Sequence, residues 1–371
     1  MKIALVCDWY HPRVGGIELH LQDLAAHLAA AGHDVVVITP TPGDSVVDGI
    51  RVRRIRAPLA PVYGFLMTPA GVRAIGEAIA DERVDVAHCH VSIVSPAALG
   101  GSALANRRQI PVVLTFHSIV PRVDLLARAA NLAFGVSRWN VKFSAVTGRV
   151  ARDVRAIAGV KTMHVLSNGI DVGFWRVEPV VRDDEKTIQL LSVLRLNPKK
   201  RPLALVSMMR RLAAVLPRGA RVHLRVVGDG PQRAKLERAI ARAHVDDHIE
   251  LLGRRSRDEI RSMFSRTDVF VLPTVRESFG LAALEARCAG VPVVAMRASG
   301  VSELIEHERE GLLASSDTDF AIQVARLIID AELRDAIAGH NRTTAPSCDW
   351  RQVVDAHLAL YRDAIALRAN V

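Results

Sequence analysis

The chain has 371 residues, of which 50% are hydrophobic and 4% aromatic, and its net charge is +10. This length suggests two domains or one large α/β unit. The small number of aromatic residues and the absence of a known nucleic-acid-binding motif argue against a nucleic-acid partner. Four scattered cysteines favour reduced thiols in the cytoplasm, and no stretch approaches the roughly 18 apolar residues of a membrane-spanning helix.

Strands and helices alternate along the first half of the sequence. The strand KIALVC is followed by the glycine turn RVGG and the helix IELHLQDLAAHLAAAG, and nearly all-apolar strands recur at DVVVIT, VDVAHCH and IPVVLTFH. This order is typical of a doubly wound parallel sheet. Residues 1–175 are therefore predicted to form one Rossmann-like domain.

A polar stretch, residues 176–186, is predicted to link this domain to a second one. From IQLLSVLRL the alternation resumes, through VHLRVVGDG, IELLG, DVFVLP and VPVVA, which predicts a second Rossmann-like domain over 186–345. The final amphipathic helix, 346–371, has no strand after it and is expected to cross back to the first domain. Two such sheets in tandem predict a ligand cleft between the carboxyl ends of their strands.

The positive charge is densest in RVRRIR, residues 51–56. We interpret this stretch as an edge strand with a solvated basic face, and contact with phosphate or anionic lipid is the alternative. Segment 118–142 interleaves apolar residues with three arginines, namely Arg122, Arg128 and Arg138. Either an interfacial helix or a helix packed on its own domain would have this pattern.

Gly15 and Gly16 stand between the first strand and the first helix. They would either let a ligand approach the backbone or supply a tight turn with positive φ. The dinucleotide fingerprint GxGxxG is absent, which argues against a nicotinamide enzyme.

Two histidines, His90 and His117, each end an apolar strand. The carboxyl ends of strands are where parallel sheets place functional groups, although a structural histidine is an equally good interpretation. A metal site from residues 88–90, HCH, is not expected, because neighbouring strand residues point to opposite faces.

The segment RESFGLAALEARCAG carries Glu277 and Glu285 eight positions apart. Ser278 is expected to cap the helix that follows, and Gly290 to end it. Glu277 would then stand just outside a helix N-terminus that favours phosphate, with Glu285 about five residues inside. A ligand with a phosphate at the helix end could reach both carboxylates.

Other charged residues also follow strands of the second domain. Arg195 and Lys200 in VLRLNPKKRP suit a diphosphate, although a solvated loop cluster explains them too. The segment VVGDGP, residues 226–231, can be explained as a strand that ends in a turn, without any ligand. DTD, residues 317–319, matches a metal–diphosphate motif on paper, but helix capping explains it better, and no metal is expected.

These segments together resemble glycosyltransferase family 4. The resemblance covers nearly the whole chain and rests on GGIE, HCH, TFHS, SNGID, RLNPKK, VVGDGP and DVFVLPTVRESFGLAALEARCAGVPVVA, in which E-x7-E with SFG is the most specific element. GGIELH and HCHVS are similar to members that glycosylate phosphatidylinositol. The resemblance implies the GT-B fold, with two Rossmann-like doubly wound α/β domains facing a cleft that holds a nucleotide-sugar.

The resemblance also implies roles for individual residues. Glu277 would hydrogen-bond the donor sugar, Glu285 would bind the ribose, and His117 would lie beside the sugar. Two cations would stabilise the departing diphosphate, namely Arg195 and Lys200. Further donor contacts would come from Gly15, Gly16, Gly228, Arg254, Ser278, Phe279, Gly280 and Leu281. His90 and Glu18 would lie on the acceptor side. The chain departs from the family at Leu194 and Arg201, where glycine is usual.

The implied activity is retaining transfer of a sugar from a nucleotide diphosphate sugar, a UDP-sugar rather than GDP-mannose, without metal or cofactor. The acceptor hydroxyl would be of a lipid or phosphoinositol type, with a soluble small molecule as the alternative. A sugar-nucleotide epimerase, which needs no acceptor, and a degenerate nucleotide-sugar sensor are rival functions. The expected location is cytoplasmic, with peripheral attachment to the inner face of an anionic membrane left open.

Overall fold

The computed structural model describes residues 1–13, 15–56, 59–60, 66–92, 95–118, 135–180, 184 and 186–369. The chain divides into two compact units: unit 1 comprises Met1–Gly169 with Cys348–Val371, and unit 2 comprises Ile170–Ser347. The division falls a few residues before the position predicted from the sequence. The reason is that Trp175 is fully buried within unit 2, with its ring centroid 5.9 Å from that of Phe264.

Unit 1 contains ten strands and four helices before its C-terminal segment, within the described residues. The strands are β1 (Lys2–Cys7), β2 (Asp34–Thr39), β3 (Val46–Val47), β4 (Ile50–Arg54), β5 (Leu59–Ala60), β6 (Leu66–Met67), β7 (Val86–Val91), β8 (Val112–Phe116), β9 (Lys142–Ala145) and β10 (His164–Val165). The helices are α1 (Gly16–Ala30), α2 (Pro69–Asp81), α3 (Pro96–Arg107) and α4 (Gly148–Ala158).

Eight of these strands form one sheet in the spatial order β10–β9–β8–β7–β1–β2–β4–β3. All neighbours in it are parallel except β3 and β4, and β5 pairs with β6 separately. Successive residues of β1 are fully buried, as expected of a parallel sheet covered on both faces. The strand order reverses at β1 and β7, so the glycine turn after β1 lies next to the end of β7.

The basic strand β4 is not an edge strand, contrary to the prediction, because β3 pairs with it on the outer side. Its arginines are also not simply solvated. Arg51 donates to both carboxylate oxygens of Glu82, at 2.8 and 2.5 Å, and Arg53 pairs with Asp81 at 2.7 Å. The hydrogen bonds that Glu82 itself accepts, chiefly from Arg51 and also from Arg53, lower its pKa to about 2. Much of the charge of this stretch is therefore compensated within unit 1.

The basic segment 118–142 lies largely outside the described residues, including Arg122 and Arg128. Arg138 ends a single 3-10 turn, Val136–Arg138. No helix in the described ranges is both long enough and apolar enough to cross a membrane.

Unit 2 repeats the alternation of strands and helices. Its strands are β11 (Thr187–Val193), β12 (Arg221–Val227), β13 (Ile249–Gly253), β14 (Val269–Leu272), β15 (Val293–Met296) and β16 (Gly311–Ala314). Its helices are α5 (Val172–Trp175), α6 (Leu203–Val215), α7 (Arg233–Ala243), α8 (Arg257–Phe264), α9 (Leu281–Cys288), α10 (Asp317–Ile329) and α11 (Ala331–Thr343).

The six strands of unit 2 form a parallel sheet in the order β13–β12–β11–β14–β15–β16. Apolar strand residues such as Leu190 and Val271 pack in one core with Leu205 of α6 and Val324 of α10. The order reverses between β11 and β14. The loops that follow these two strands therefore meet at the carboxyl edge of the sheet.

The last helix, α12 (Trp350–Ala369), belongs to unit 1. It packs on β7, β8, β9 and α1. Its buried residues recur every three or four positions, as on the apolar face of an amphipathic helix: Trp350, Val353, Val354, His357, Leu358, Leu360, Tyr361 and Ala364. This helix places a histidine and a tyrosine against the sheet.

Candidate active site

Glu277 and Lys200, two of the predicted catalytic residues, contact each other in unit 2. Lys200 Nζ donates to Glu277 Oε2 at 2.5 Å. Both side chains are partly shielded from solvent, with 15% of Glu277 and 29% of Lys200 exposed. The topology explains the contact, since Lys200 follows β11 and Glu277 follows β14, its neighbour in the sheet. A carboxylate and an ammonium group thus lie side by side at the carboxyl ends of these strands.

The helix that carries Glu285 begins later than the sequence indicated. Ser278 is not its N-cap: α9 starts at Leu281, and its N-cap is Gly280, with φ 99° and no capping side chain. A Cβ on Gly280 would lie 2.4 Å from Val301 Cγ2, so close packing and a left-handed backbone both require glycine. Glu285 is the fifth residue of α9 and is half-buried.

The turn between β14 and α9 is packed against Gly300. Gly300 N donates to Glu277 O at 2.7 Å, and a Cβ on Gly300 would lie 2.0 Å from Ser278 O. Phe279 is buried in the same turn. The structure therefore groups four predicted donor-binding residues in one packed turn beside Glu277, namely Ser278, Phe279, Gly280 and Leu281.

The main chain of Lys200 is held on both sides. Lys200 ends the 3-10 turn Pro198–Lys200, whose cap, Asn197, accepts from Lys200 N through Oδ1 at 3.0 Å. Thr274 Oγ1 donates to Lys200 O at 3.2 Å. Arg195 opens the same loop, and its side chain is exposed. The two predicted diphosphate cations therefore differ in exposure: Lys200 is partly buried, whereas Arg195 is exposed.

Packing between two loops explains the glycine at Gly228. A Cβ there would lie 1.9 Å from Leu194 O, and φ is 133°. Leu194, which replaces the family's usual glycine, is buried with 6% exposed and donates its N–H to Val227 O at 3.0 Å. The loops after β11 and β12 are thus hydrogen-bonded side by side, and Gly228 is needed for that approach whether or not it contacts a ligand.

Arg254 lies beside one predicted donor-binding residue, Gly228, whose N–H donates to Gly253 O at 2.7 Å. Arg254 is exposed and follows β13, the edge strand of the sheet. Three strand spacings separate β13 from β14, or about 14 Å at about 4.8 Å each. The structure therefore places Arg254 at the loop after β12, beside Gly228, and three strands away from the turn that carries Glu277.

The DTD motif is engaged in contacts within unit 2. Asp317 accepts two hydrogen bonds from Arg201 Nη2, both at 2.6 Å. Asp319 accepts a hydrogen bond from Ser315 N at 2.7 Å, and this bond is the main reason that the pKa of Asp319 lies below its usual range. The N–H of Asp319 donates to the side chain of Ser316, the N-cap of α10. In the part of the chain that the structure describes, no three His, Cys, Asp or Glu residues group as metal ligands.

Neither of the two glycines in the turn of unit 1 has a positive φ. Gly15 is the N-cap of α1 with φ −165°, and Gly16 is also outside the positive-φ region. A Cβ on Gly15 would lie 2.6 Å from the carboxylate of Glu18, which is buried and pairs with Arg13 at 3.2 Å. A Cβ on Gly16 would meet no described atom within 4 Å. A Cβ on Gly15 would therefore displace only the end of the Glu18 side chain, and a Cβ on Gly16 would displace nothing that the structure describes.

The two predicted histidines of unit 1 form a buried pair. His90 Nδ1 lies 2.9 Å from His117 Nε2. Burial is the largest cause of the lowered pKa of both rings, and that of His117 falls to about 3. Both imidazoles are therefore neutral at pH 7 and available as a hydrogen-bond donor and acceptor.

Sequence reasoning missed the rest of this histidine cluster, which we define as His20, His88, His90, His117 and His357. His88 bonds Tyr361 Oη at 2.7 Å and Thr115 Oγ1 at 2.6 Å. His20 stacks on Trp350, with ring centroids 5.5 Å apart. The available signal was the polar residues on the apolar faces of α1 and α12, where His20, His357 and Tyr361 recur at helical spacing.

Two family models match the chain: Glycosyltransferase Family 4 over residues 14–174, and Glycosyl transferases group 1 over residues 174–344. A GDP-mannose-dependent alpha-mannosyltransferase of Mycolicibacterium smegmatis is 29% identical, over 100% of this chain and 99% of its own length. The phosphatidylinositol N-acetylglucosaminyltransferase gpi3 subunit of Schizosaccharomyces pombe is 24% identical, over 88% of this chain and 72% of its own length.

Solved structures of other proteins have the same fold as this chain. Anabaena HepE in complex with UDP superposes with a TM-score of 0.79 at 21% identity, covering 98% of this chain and 100% of that one. HepE in complex with UDP-glucose superposes with a TM-score of 0.73 at 20% identity, covering 100% of both chains. The similarity extends over both units.

Proposed function

Because the chain belongs to glycosyltransferase family 4 and has the GT-B fold, we propose that it is a retaining glycosyltransferase that uses a nucleotide diphosphate sugar. The observation that carries the proposal is the contact between Lys200 and Glu277, 2.5 Å long, beside the start of α9. This transfer requires two opposite charges at adjacent positions. One is an ammonium group that faces the diphosphate, and the other is a carboxylate that faces the sugar hydroxyls.

In the proposed reaction, the bond between the sugar C1 and the diphosphate oxygen breaks, and a new bond forms between C1 and the acceptor oxygen. The acceptor hydroxyl releases its proton to solvent, and the nucleoside diphosphate leaves with the electron pair of the broken bond and one added negative charge. Lys200 and Arg195 stabilise that charge as it grows in the transition state. A lysine ammonium has three donors, so Lys200 can contact the diphosphate while it keeps its hydrogen bond to Glu277.

The remaining roles follow from the chemistry of each group. Glu277 accepts hydrogen bonds from hydroxyls of the donor sugar, and Glu285 accepts from the ribose hydroxyls. His117, in unit 1, is neutral and can donate to or accept from a sugar hydroxyl. Gly16 leaves space for the approach of the ligand to the start of α1. With two cations in these roles, transfer should need no divalent metal ion and should survive a chelator.

We propose a UDP-sugar as the donor, in line with the fold shared with HepE, which has been solved with UDP and UDP-glucose. GDP-mannose is the alternative, because the mycobacterial relative depends on it. For the acceptor we propose a hydroxyl of phosphoinositol type, on the strength of the similarity to the gpi3 subunit. The arginines of β4 do not support a lipid surface, because Glu82 and Asp81 compensate two of them.

A thermal-shift panel of UDP-, GDP-, ADP- and dTDP-sugars tests the donor. The true donor at about 100 times its Kd should stabilise the protein by about 2.7 kcal/mol. Transfer to inositol phosphate or phosphatidylinositol is then followed with that donor, with Lys200→Ala as the control of strongly reduced activity. Stabilisation by no sugar nucleotide would contradict the function, and donor conversion without an acceptor would favour the epimerase.

A further inference from the structure

Arg201, the residue after Lys200, adopts a left-handed backbone conformation, with φ 57° and ψ 46°. This conformation is strained for a residue with a long side chain, and glycine adopts it without cost. An arginine at this position therefore has a less favourable backbone conformation than a glycine would have. The contacts of its side chain give the physical reason for its presence.

The guanidinium group of Arg201 joins two other segments of unit 2. Nη2 donates to both carboxylate oxygens of Asp317, at 2.6 Å each, where α10 begins. Nη1 donates to Pro273 O at 3.0 Å, directly after β14. A planar guanidinium is suited to this forked contact, and a lysine could not reproduce it.

These contacts lie next to those that hold Lys200. Pro273 precedes Thr274, whose Oγ1 donates to Lys200 O at 3.2 Å. The chain then continues through the turn to Glu277, which accepts from Lys200 Nζ. Arg201 thus ties the end of the Lys200 loop to the same strand end that leads to Glu277.

We propose that Arg201, through its ion pair with Asp317, is a positioning residue that holds Lys200 where it meets the diphosphate of the donor. The inference rests on the proposed function. Arg201 does not touch the reacting atoms; it acts by fixing the loop whose ammonium group stabilises the leaving group. Because that stabilisation is greatest in the transition state, loss of Arg201 should lower kcat more than it raises KM.

The test compares Arg201→Gly, Arg201→Lys and Asp317→Asn. Arg201→Gly removes the contacts but also relieves the strained backbone, so it should fold with nearly unchanged Tm. Its kcat should fall about tenfold to a hundredfold, the effect of a misplaced group of this kind. Arg201→Lys should not restore kcat, and Asp317→Asn should lower it in the same direction.

The matched control is Glu308→Gln, which weakens another exposed ion pair of unit 2. Arg326 Nη1 donates to Glu308 Oε1 at 2.6 Å, far along the chain from the Lys200 loop. This variant should keep wild-type kcat and KM. A Lys200→Ala background supplies a second control, since Arg201→Gly should have no further effect on kcat once Lys200 is gone.

A lowered Tm with unchanged kcat and KM in Arg201→Gly would overturn the inference and leave Arg201 a stabilising residue only. Additive losses in the Lys200→Ala background would also overturn it. If the wild-type protein transfers no sugar, the proposed function fails, and the inference is judged by UDP and GDP binding. Several-fold weaker binding of the better nucleotide to Arg201→Gly supports positioning, and equal affinity rejects it.

Discussion

His90 and His117 share a hydrogen bond of 2.9 Å between Nδ1 and Nε2 in the interior of unit 1. Their outer nitrogens, His90 Nε2 and His117 Nδ1, are buried and have no hydrogen-bond partner among the described residues. A neutral imidazole has one donor and one acceptor nitrogen. The outer nitrogens of the pair must therefore be one donor and one acceptor, so the tautomer of His117 depends on that of His90.

The histidine cluster predicts that unit 1 loses stability in mild acid. Burial lowers the pKa of His117 to about 3 and that of His357 to about 4, from 6.5. Protonation below pH 6.5 therefore favours the unfolded chain, and the stabilisation present above pH 6.5 is lost progressively as the pH falls towards these values. Each such histidine should contribute a slope of about 1.4 kcal/mol per pH unit.

Urea unfolding followed between pH 4.5 and 7.5 measures this slope. His357→Leu is the matched variant, and its stability should depend less steeply on pH because one buried ring no longer takes up a proton. Asp8 acts in the opposite direction, since burial raises its pKa to about 6, but it is one group against the cluster. Stability that stays constant or increases from pH 6.5 to 4.5 would contradict the prediction.

Replacement of Glu277 should remove transfer and leave the fold intact. Glu277→Gln keeps the shape of the side chain and an oxygen for Lys200, so the free energy of unfolding should change by at most about 1 kcal/mol. The loss of a charged acceptor for the sugar should lower kcat at least about a hundredfold. Glu285→Gln is the comparison, and there KM should rise more than kcat falls. Near-normal turnover in Glu277→Gln would remove Glu277 from the catalytic set.

Gly16 offers a test of ligand approach that is separate from packing. Gly16→Ala adds a methyl group with no described atom within 4 Å, at the first residue of α1. Stability should be unchanged or rise by up to about 1 kcal/mol, because alanine has the higher helix propensity. The apparent affinity for the donor should nevertheless fall about tenfold or more if the ligand approaches here. Calorimetric titration of the variant and the wild type with the preferred nucleotide measures this affinity. An unchanged affinity would show that Gly16 is not part of the donor site.

The arginines of β4 should matter for stability rather than for membranes. Arg51→Gln removes the paired hydrogen bonds to buried Glu82 and should cost about 1 kcal/mol or more. Binding to phosphatidylglycerol vesicles at low salt should be the same for this variant and the wild type. Arg56→Gln, an exposed residue of the same stretch, is the control and should keep full stability. Weaker vesicle binding by Arg51→Gln would restore the lipid-surface interpretation of RVRRIR.

The order of elements was predictable from local patterns. Apolar strands such as β1 and β14 alternate with amphipathic helices, and this pattern gave the two Rossmann-like units, while the resemblance to glycosyltransferase family 4 gave the GT-B class. Glu277 and Glu285 were also recognisable, because E-x7-E with SFG is a local spacing. Local patterns suffice here because strand burial and helix periodicity depend on neighbouring residues.

Contacts between distant segments required the tertiary structure. Lys200 and Glu277, 77 positions apart, meet only because β11 and β14 are neighbours in the sheet. Ser278 has the side chain of a helix cap, yet the N-cap of α9 is Gly280, whose left-handed backbone lies against Val301. These outcomes depend on close packing and on burial between segments far apart in the sequence, which a local pattern does not contain.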